Sequence, residues 1–167
     1  METILRDLRQ PEYLHVLLNP IPVYGLAIAL FGLIAATYLG SRGGQLTALV
    51  LIFATALSVW PVMRQGDLAY NPVLSLADEP GQAWLKVHEH RADKFAYFYY
   101  ALAALAAAAI FVPKKWPRTA RPLVYATMLL ALVSLGAGTY IAYAGGKIRH
   151  REFRNVPPPP PPEGATR

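Results

Sequence analysis

Four long runs of apolar residues, separated by shorter polar segments, dominate the hydrophobic pattern of this chain. The runs cover residues 21–39, 46–63, 95–112 and 123–146, and none of them contains Asp, Glu, Lys, Arg or His. Each holds about 18 to 24 residues, which is the length that a helix needs to cross the hydrocarbon core of a bilayer. The pattern therefore predicts an all-α fold, an antiparallel four-helix transmembrane bundle.

The polar segments predict how the four helices are connected. A tight turn at residues 41–44 and a short loop at residues 114–121 would each join two antiparallel neighbours. A longer loop, about residues 64–94, would join the second and third helices, and within it Asp78, Glu79 and Pro80 are typical of a helix start. Since Trp84 and Leu85 follow, we expect a short interfacial helix between helices 2 and 3.

The same pattern divides the chain into four parts. Residues 1–19 form an amphipathic lead-in, with Ile4, Leu5 and Leu8 at helical spacing. Residues 20–146 form the four-helix transmembrane domain, and residues 147–156 form a basic juxtamembrane segment. Residues 157–167 form a proline-rich tail, which we expect to be disordered. No internal repeat is evident in the sequence, although two successive helical hairpins would suit a duplication.

Composition supports the membrane interpretation. The chain is 54% hydrophobic and 16% charged, whereas a soluble domain carries about 25% charged residues. It has no cysteine, which excludes disulfides, covalently attached haem and cysteine-ligated iron–sulfur clusters. The net charge of +6 comes from basic residues beside the apolar runs. We therefore expect a lipid bilayer, and no nucleic acid, as the partner of these residues.

Threading the chain through a membrane places all ten acidic residues and all four histidines on one side. The other side carries only basic residues, namely Arg42, Lys114, Lys115, Arg118 and Arg121. The larger number of Lys and Arg residues on the histidine side predicts that both termini are cytoplasmic. The short loop at residues 114–121 is itself basic and argues for the opposite orientation.

The histidines are the candidate chemical site. Threading brings His15, His88, His90 and His150 to the same end of the bundle. Such a set can bind a transition metal, and two of them can supply the axial ligands of a b-type haem. The alternative is that they are interfacial histidines bonded to backbone or lipid phosphate. In the ligand interpretation, hydrogen bonds from the imidazoles to Glu89, Asp93 and Glu152 would orient the rings.

Helical geometry refines which histidines face inward. His88 and His90 differ by about 200° of rotation, so only one of them can face the bundle. We prefer His90, because it shares a stripe with the small residue Ala101. On the fourth helix the residues spaced by four are Gly138, Ala142, Gly146 and His150, and small residues at this spacing favour close helix packing. That stripe would turn His150 inward unless the helix breaks at Gly146.

Three segments carry a resemblance to known families. They are residues 18–22, residues 78–93 and the closing Gly-Gly-Lys-Ile-Arg-His-Arg-Glu at residues 145–152. They resemble a group of uncharacterised bacterial four-helix inner-membrane proteins. More distantly, His15, His88 with Glu89, and His150 are similar to positions in the membrane family known as domain of unknown function 2231. The resemblance implies a bacterial inner-membrane protein near redox systems and supplies no reaction.

No sequence motif of a known catalytic site occurs in the chain, so we do not expect an enzyme. Two functions stay open. The first is an accessory or structural component of the inner membrane, in contact with other membrane or redox subunits or with a second copy of itself. The second is a small b-type haem or metal-binding protein in electron transfer.

Overall fold

The computed structural model describes residues 6–160, and every regular element within this range is helical. The predicted all-α class is therefore confirmed. The helices are α1 (Pro11–Leu18), α2 (Leu26–Tyr38), α3 (Arg42–Leu57), α4 (Val59–Leu76), α5 (Glu79–Phe111) and α6 (Ala120–Arg149). A π-helical turn (Ile21–Gly25) joins α1 to α2, and 3-10 turns occupy Val112–Lys114, Pro117–Thr119 and Arg151–Phe153. Ile4 and Leu5 of the predicted lead-in, and residues 161–167 of the tail, lie outside the described residues.

Four helical stretches are long and apolar enough to cross a membrane, which fits a multi-pass membrane protein. They are Pro11–Tyr38, Arg42–Leu76, Glu79–Lys114 and Pro117–Arg149. Each has 28 to 36 residues, more than the roughly 20 that a bilayer requires. Large apolar side chains such as Ile28, Phe31 and Leu129 are exposed on their outer faces. A helix that is apolar on its outer as well as its inner face is typical of a membrane environment.

The predicted short helix between the second and third long helices does not exist. Helix α4 continues to Leu76 and α5 begins at Glu79, so only two residues separate them. The predicted helix start is nevertheless real, because the Asp78 carboxylate accepts a hydrogen bond from the Gly81 backbone N–H at 3.1 Å. It begins α5 itself. Trp84, which we expected at the membrane interface, is 2% exposed and packs in an apolar cluster between helices.

Small residues let the helices approach closely through the centre of the bundle. An added methyl group at Gly44 would lie 2.9 Å from the Ala36 side chain, and one at Gly25 would lie 2.8 Å from that of Thr55. Such contacts allow van der Waals packing between helices in an apolar solvent. The central core consists of Leu26, Ala29, Leu30, Leu33, Ala48, Leu49, Ile52, Ala56, Val59, Ala96, Tyr99, Leu102, Ala103, Ala106, Ala109, Val124 and Ala131.

The segment after α6 folds back onto that helix through Arg154. Its Nε donates to the Lys147 carbonyl and one terminal nitrogen to the Ile148 carbonyl, both at 2.7 Å. The other terminal nitrogen donates to Asp78 Oδ2 at 2.8 Å. Arg154 thus satisfies last-turn carbonyls of α6 and ties them to the first residue before α5. The hydrogen bond from Arg154 holds the pKa of Asp78 below its usual value.

Candidate functional site

Two of the four histidines, His15 on α1 and His88 on α5, meet inside the histidine end of the bundle. Their ring centroids lie 6.1 Å apart and the ring planes cross at 86°. His15 Nδ1 is 3.0 Å from the Val62 carbonyl oxygen, and His88 Nδ1 is 3.0 Å from the Ile141 carbonyl oxygen. Because a carbonyl oxygen only accepts, both Nδ1 atoms must carry the hydrogen. In the neutral ring the Nε2 lone pair is then available, as it is in metal-bound histidines.

Each imidazole lies against a glycine of the neighbouring helix. A methyl group added at Gly66 would lie 3.0 Å from His15 Cε1 and 3.1 Å from its Nδ1. One added at Gly145 would lie 3.1 Å from the same two atoms of His88. Any other residue at these positions would therefore push the ring away from its carbonyl partner. The two glycines make room for the Nδ1 edges of the rings.

The two halves of the chain build the same local arrangement. In the first half, His15 bonds to the carbonyl of Val62 and lies on Gly66, four residues further along α4. In the second half, His88 bonds to the carbonyl of Ile141 and lies on Gly145, four residues further along α6. A carbonyl at one position and a glycine one turn later thus hold an imidazole twice in one bundle.

Two cavities border the imidazole pair. The larger one, of about 460 Å³, is lined by both histidines, by Arg149 and by acidic side chains from three helices, namely Glu12, Asp67, Glu89 and Asp93. The smaller one, of about 40 Å³, is lined by both histidines together with Asn19, Met63 and Tyr99. The pair therefore stands between a roomy cavity, mainly apolar but with acidic groups in its lining, and a small one, and both are partly open. A cavity of the smaller size has room for an ion or a water molecule.

The structure separates the other two histidines from this pair. His90 is exposed, so our preference for His90 over His88 as the inward-facing residue is wrong. Helix α6 passes through Gly145 and Gly146 without a break, yet His150 ends it and is exposed. His150 Nδ1 lies 2.9 Å from Glu152 Oε1. Hydrogen bonds from its own backbone N–H and then from His150 hold the pKa of Glu152 below its usual value.

The predicted packing stripe on the fourth helix is only partly buried. Gly138 is buried, and a methyl group there would overlap the Tyr99 hydroxyl. Ala142 is exposed and Gly146 is partly exposed. The buried face of α6 turns instead through Ala144 and Ile148, which pack around Trp84. Spacing by four drifts around a helix of 3.6 residues per turn, which is why the stripe leaves the interface after Gly138.

Several residues of the site were not predicted. Gly66 falls in what the sequence suggested was a loop, and Met63 and Tyr99 resemble ordinary apolar and interfacial residues of a membrane helix. The carbonyl partners carry no side-chain signal. Hydrogen-bonded histidines near a helical glycine are visible only once the helices are packed together.

The site contains no complete conventional metal-binding cluster. Among residues 6–160, no group of three or more His, Cys, Asp or Glu side chains is arranged to hold a metal ion. Comparisons with models of protein families, with curated proteins and with solved structures found no match to this chain. The function must therefore be argued from the site itself.

Proposed function

We propose that this chain is a multi-pass membrane protein that binds a transition-metal ion between His15 and His88. The observation that carries the proposal is the imidazole pair itself, with both Nδ1 atoms bonded to backbone carbonyls. Anchoring of that kind fixes the tautomer and orientation of metal-binding histidines in proteins. The acidic side chains of the 460 Å³ cavity would attract a cation to the pair from the aqueous side.

The separation of the rings suits one ion between them. A metal–nitrogen bond is about 2.0 Å long. Two imidazoles on opposite sides of one ion therefore have centroids about 6 Å apart by that bond length, and the observed separation is 6.1 Å. Two neutral rings that both use Nδ1–H elsewhere cannot donate a hydrogen bond to each other. A cation held between the rings would be bound by the two Nε2 lone pairs.

A b-type haem is a second candidate. The same centroid separation would suit two axial imidazoles, and the cavity of about 460 Å³ beside the pair offers space next to the rings. The macrocycle would have to pass between α1 and α5. A reduced-minus-oxidised visible spectrum distinguishes the two candidates, because haem gives a sharp α-band and a bare ion does not.

The proposal includes the placement of the site in the membrane. Close contacts between Gly44 and Ala36, Gly25 and Thr55, and Gly66 and His15 support an antiparallel first hairpin. The distribution of Lys and Arg supports a cytoplasmic histidine end, and the sequence resemblance supports the bacterial inner membrane. The pair lies where the apolar runs end, at the boundary between the bilayer and water.

The test is metal analysis of the detergent-purified full chain after incubation with copper, zinc, nickel and iron salts and with haemin. We expect the wild type to bind one ion per chain, between His15 and His88. His15→Ala and His88→Ala should each weaken binding by more than about 100-fold, since even a partner that only orients a ligand contributes about 10–100-fold. His90→Ala and His150→Ala are matched controls, because both rings are exposed. Retention of the ion by His15→Ala, or a protein that binds none, would overturn the proposal.

A further inference from the structure

The smaller cavity is lined by a third side chain that can bind a metal ion, the thioether of Met63. Met63 lines both cavities, as His15 and His88 do. It follows Val62, whose carbonyl holds His15. A thioether is a soft ligand, and together with imidazole nitrogens it selects copper in its reduced state over harder ions.

We propose that the bound ion is Cu(I), held by the Nε2 atoms of His15 and His88 and by the Met63 sulfur. This inference rests on the proposed function and names the ion that the same site takes. Cu(I) forms complexes with two or three donor atoms, so it does not require the four ligands that a structural zinc site provides. The absence of a larger His, Cys, Asp or Glu cluster within the described range therefore does not count against it.

Charge supports the same ion. Within the part of the chain that the structure describes, all the side chains around the smaller cavity are neutral or apolar, and no carboxylate lines it. The cost of moving an ion into a medium of low polarity rises with the square of its charge, so a dication costs four times as much as a monocation of equal radius. Without an anionic ligand, a site of this kind favours Cu(I) over Zn²⁺. The carboxylates line only the larger cavity, where they would gather cations without binding the bound ion directly.

A buried hydroxyl is an independent sign of a polar guest. Tyr99 is 1% exposed, and within the described residues its hydroxyl has no hydrogen-bond partner. It lines the smaller cavity beside both histidines. An unpaired buried polar group in a folded protein calls for an ion or water that satisfies it. A water molecule bound next to the copper ion would accept this hydrogen bond.

The test compares Cu(I) and Zn²⁺ on the full-length protein in detergent. Cu(I), kept reduced with ascorbate, is titrated against bicinchoninate, and Zn²⁺ against a zinc-chelating dye. Met63→Leu conserves volume. We expect it to weaken Cu(I) binding at least about tenfold, the lower end of what a lost orienting partner costs, and to weaken Zn²⁺ binding much less. Met128→Leu, in the apolar core away from the pair, is the matched control and should change neither.

The outcomes are distinguishable from failure of the proposed function. Unchanged Cu(I) affinity in Met63→Leu, with binding that still depends on His15 and His88, would overturn the copper assignment and leave the metal site standing. The same holds if Zn²⁺ outcompetes Cu(I). Absence of binding by either ion would overturn both. A sulfur neighbour in the copper X-ray absorption spectrum of the wild type, lost in Met63→Leu, would confirm the thioether ligand.

Discussion

The glycines beneath the imidazoles allow the ligand geometry to be perturbed without touching a ligand. In Gly66→Ala the new methyl group would lie 3.0 Å from His15 Cε1, whereas ordinary contact begins near 3.4 Å. The ring must therefore move by a few tenths of an ångström. Since Gly66 faces the Nδ1 edge of the ring, that movement lengthens the 3.0 Å hydrogen bond to Val62. Gly145→Ala should act on His88 in the same way.

Opposing effects on stability make this prediction sharp. Replacing glycine by alanine inside a helix stabilises the fold by up to about 1 kcal/mol, and a weakened hydrogen bond costs about 1 kcal/mol. The two nearly cancel, so the free energy of unfolding should hardly change. Metal affinity has no such compensation, and loss of the bond that orients a ligand should weaken it by about 10–100-fold.

The assay pairs metal titration with thermal unfolding of the metal-free protein in the same detergent. Gly136→Ala is the control on α6, because a methyl group there would meet no atom of residues 6–160 within 4 Å. It should unfold at a slightly higher temperature and bind metal like the wild type. If Gly66→Ala and Gly145→Ala bind metal as tightly as Gly136→Ala, the carbonyl anchors do not position the ligands, and the reasoning from the hydrogen bonds is refuted.

Two further predictions concern parts of the fold around the site. Gly138→Ala places a methyl group on the Tyr99 hydroxyl, so it should destabilise the metal-free protein by about 1–3 kcal/mol. Thermal unfolding should show that Tyr99→Phe in the same chain restores part of the loss, because close contacts with Val23 at 3.1 Å and with Tyr99 Cζ at 3.3 Å remain. No restoration would contradict the clash with the hydroxyl. Arg154 lowers the pKa of Asp78, with Arg151 at 3.0 Å also facing it. The stabilisation from this pairing is therefore present above the unfolded pKa, near 3.8, and is lost as the pH falls through the lower folded value. Hydrogen exchange at residues 147–156, corrected for the intrinsic rate, should rise in that acid range. Asp78→Asn keeps the helix cap and should raise the exchange rate of the same residues at neutral pH. Equal exchange in Asp78→Asn and the wild type would exclude the ion pair as the cause.

The four membrane-length helices could be predicted from the sequence, but their ends could not. Apolar runs mark only the part of a helix that hydrocarbon surrounds, and a helix continues wherever its backbone bonds stay satisfied. Arg64, Gly66 and Asp67 looked like a loop because polar residues follow Met63. In the structure they belong to α4, whose inner side still packs against α1. The glycine beneath His15 was therefore hidden in a segment that we predicted to be non-helical.

Threading places His15 and His88 at the same end of the bundle, where the structure brings them together, whereas the rotation of their helices could not be predicted. We chose His90 because Ala101 shares its stripe, on the assumption that a small residue marks a packed face. Helix α5 is so rich in alanine that small size marks no face, and Ala101 is in fact exposed. The packed face runs through Ala96, Tyr99 and Leu102, in register with His88. Large and small side chains alternate on that face, so side-chain size does not distinguish it from the other faces of α5. The packed face is recognised only from its contacts with neighbouring helices.

An internal correspondence links the site to the rest of the bundle. When 73 is added to the residue numbers of α2, each of its five buried residues falls on a buried residue of α5. Leu26, for example, falls on Tyr99. Along α3 and α4 the shift to α6 is 79 positions. Thr55 and Ser134 correspond in this way, and each hydroxyl bonds back to the carbonyl four residues earlier.

This correspondence explains why the imidazole pair exists and why the sequence conceals it. Shifts of 73 and 79 differ by six residues, which the longer connection between α5 and α6 absorbs, so no single offset aligns the two halves. His15 and His88 are corresponding positions, and so are Gly66 and Gly145. Around the smaller cavity the two halves differ chemically at Met63, whose counterpart is Ala142, and at Asn19, whose counterpart is Ala92. Symmetry thus supplies two equal nitrogen donors, and a departure from it at Met63 supplies the thioether that would favour Cu(I).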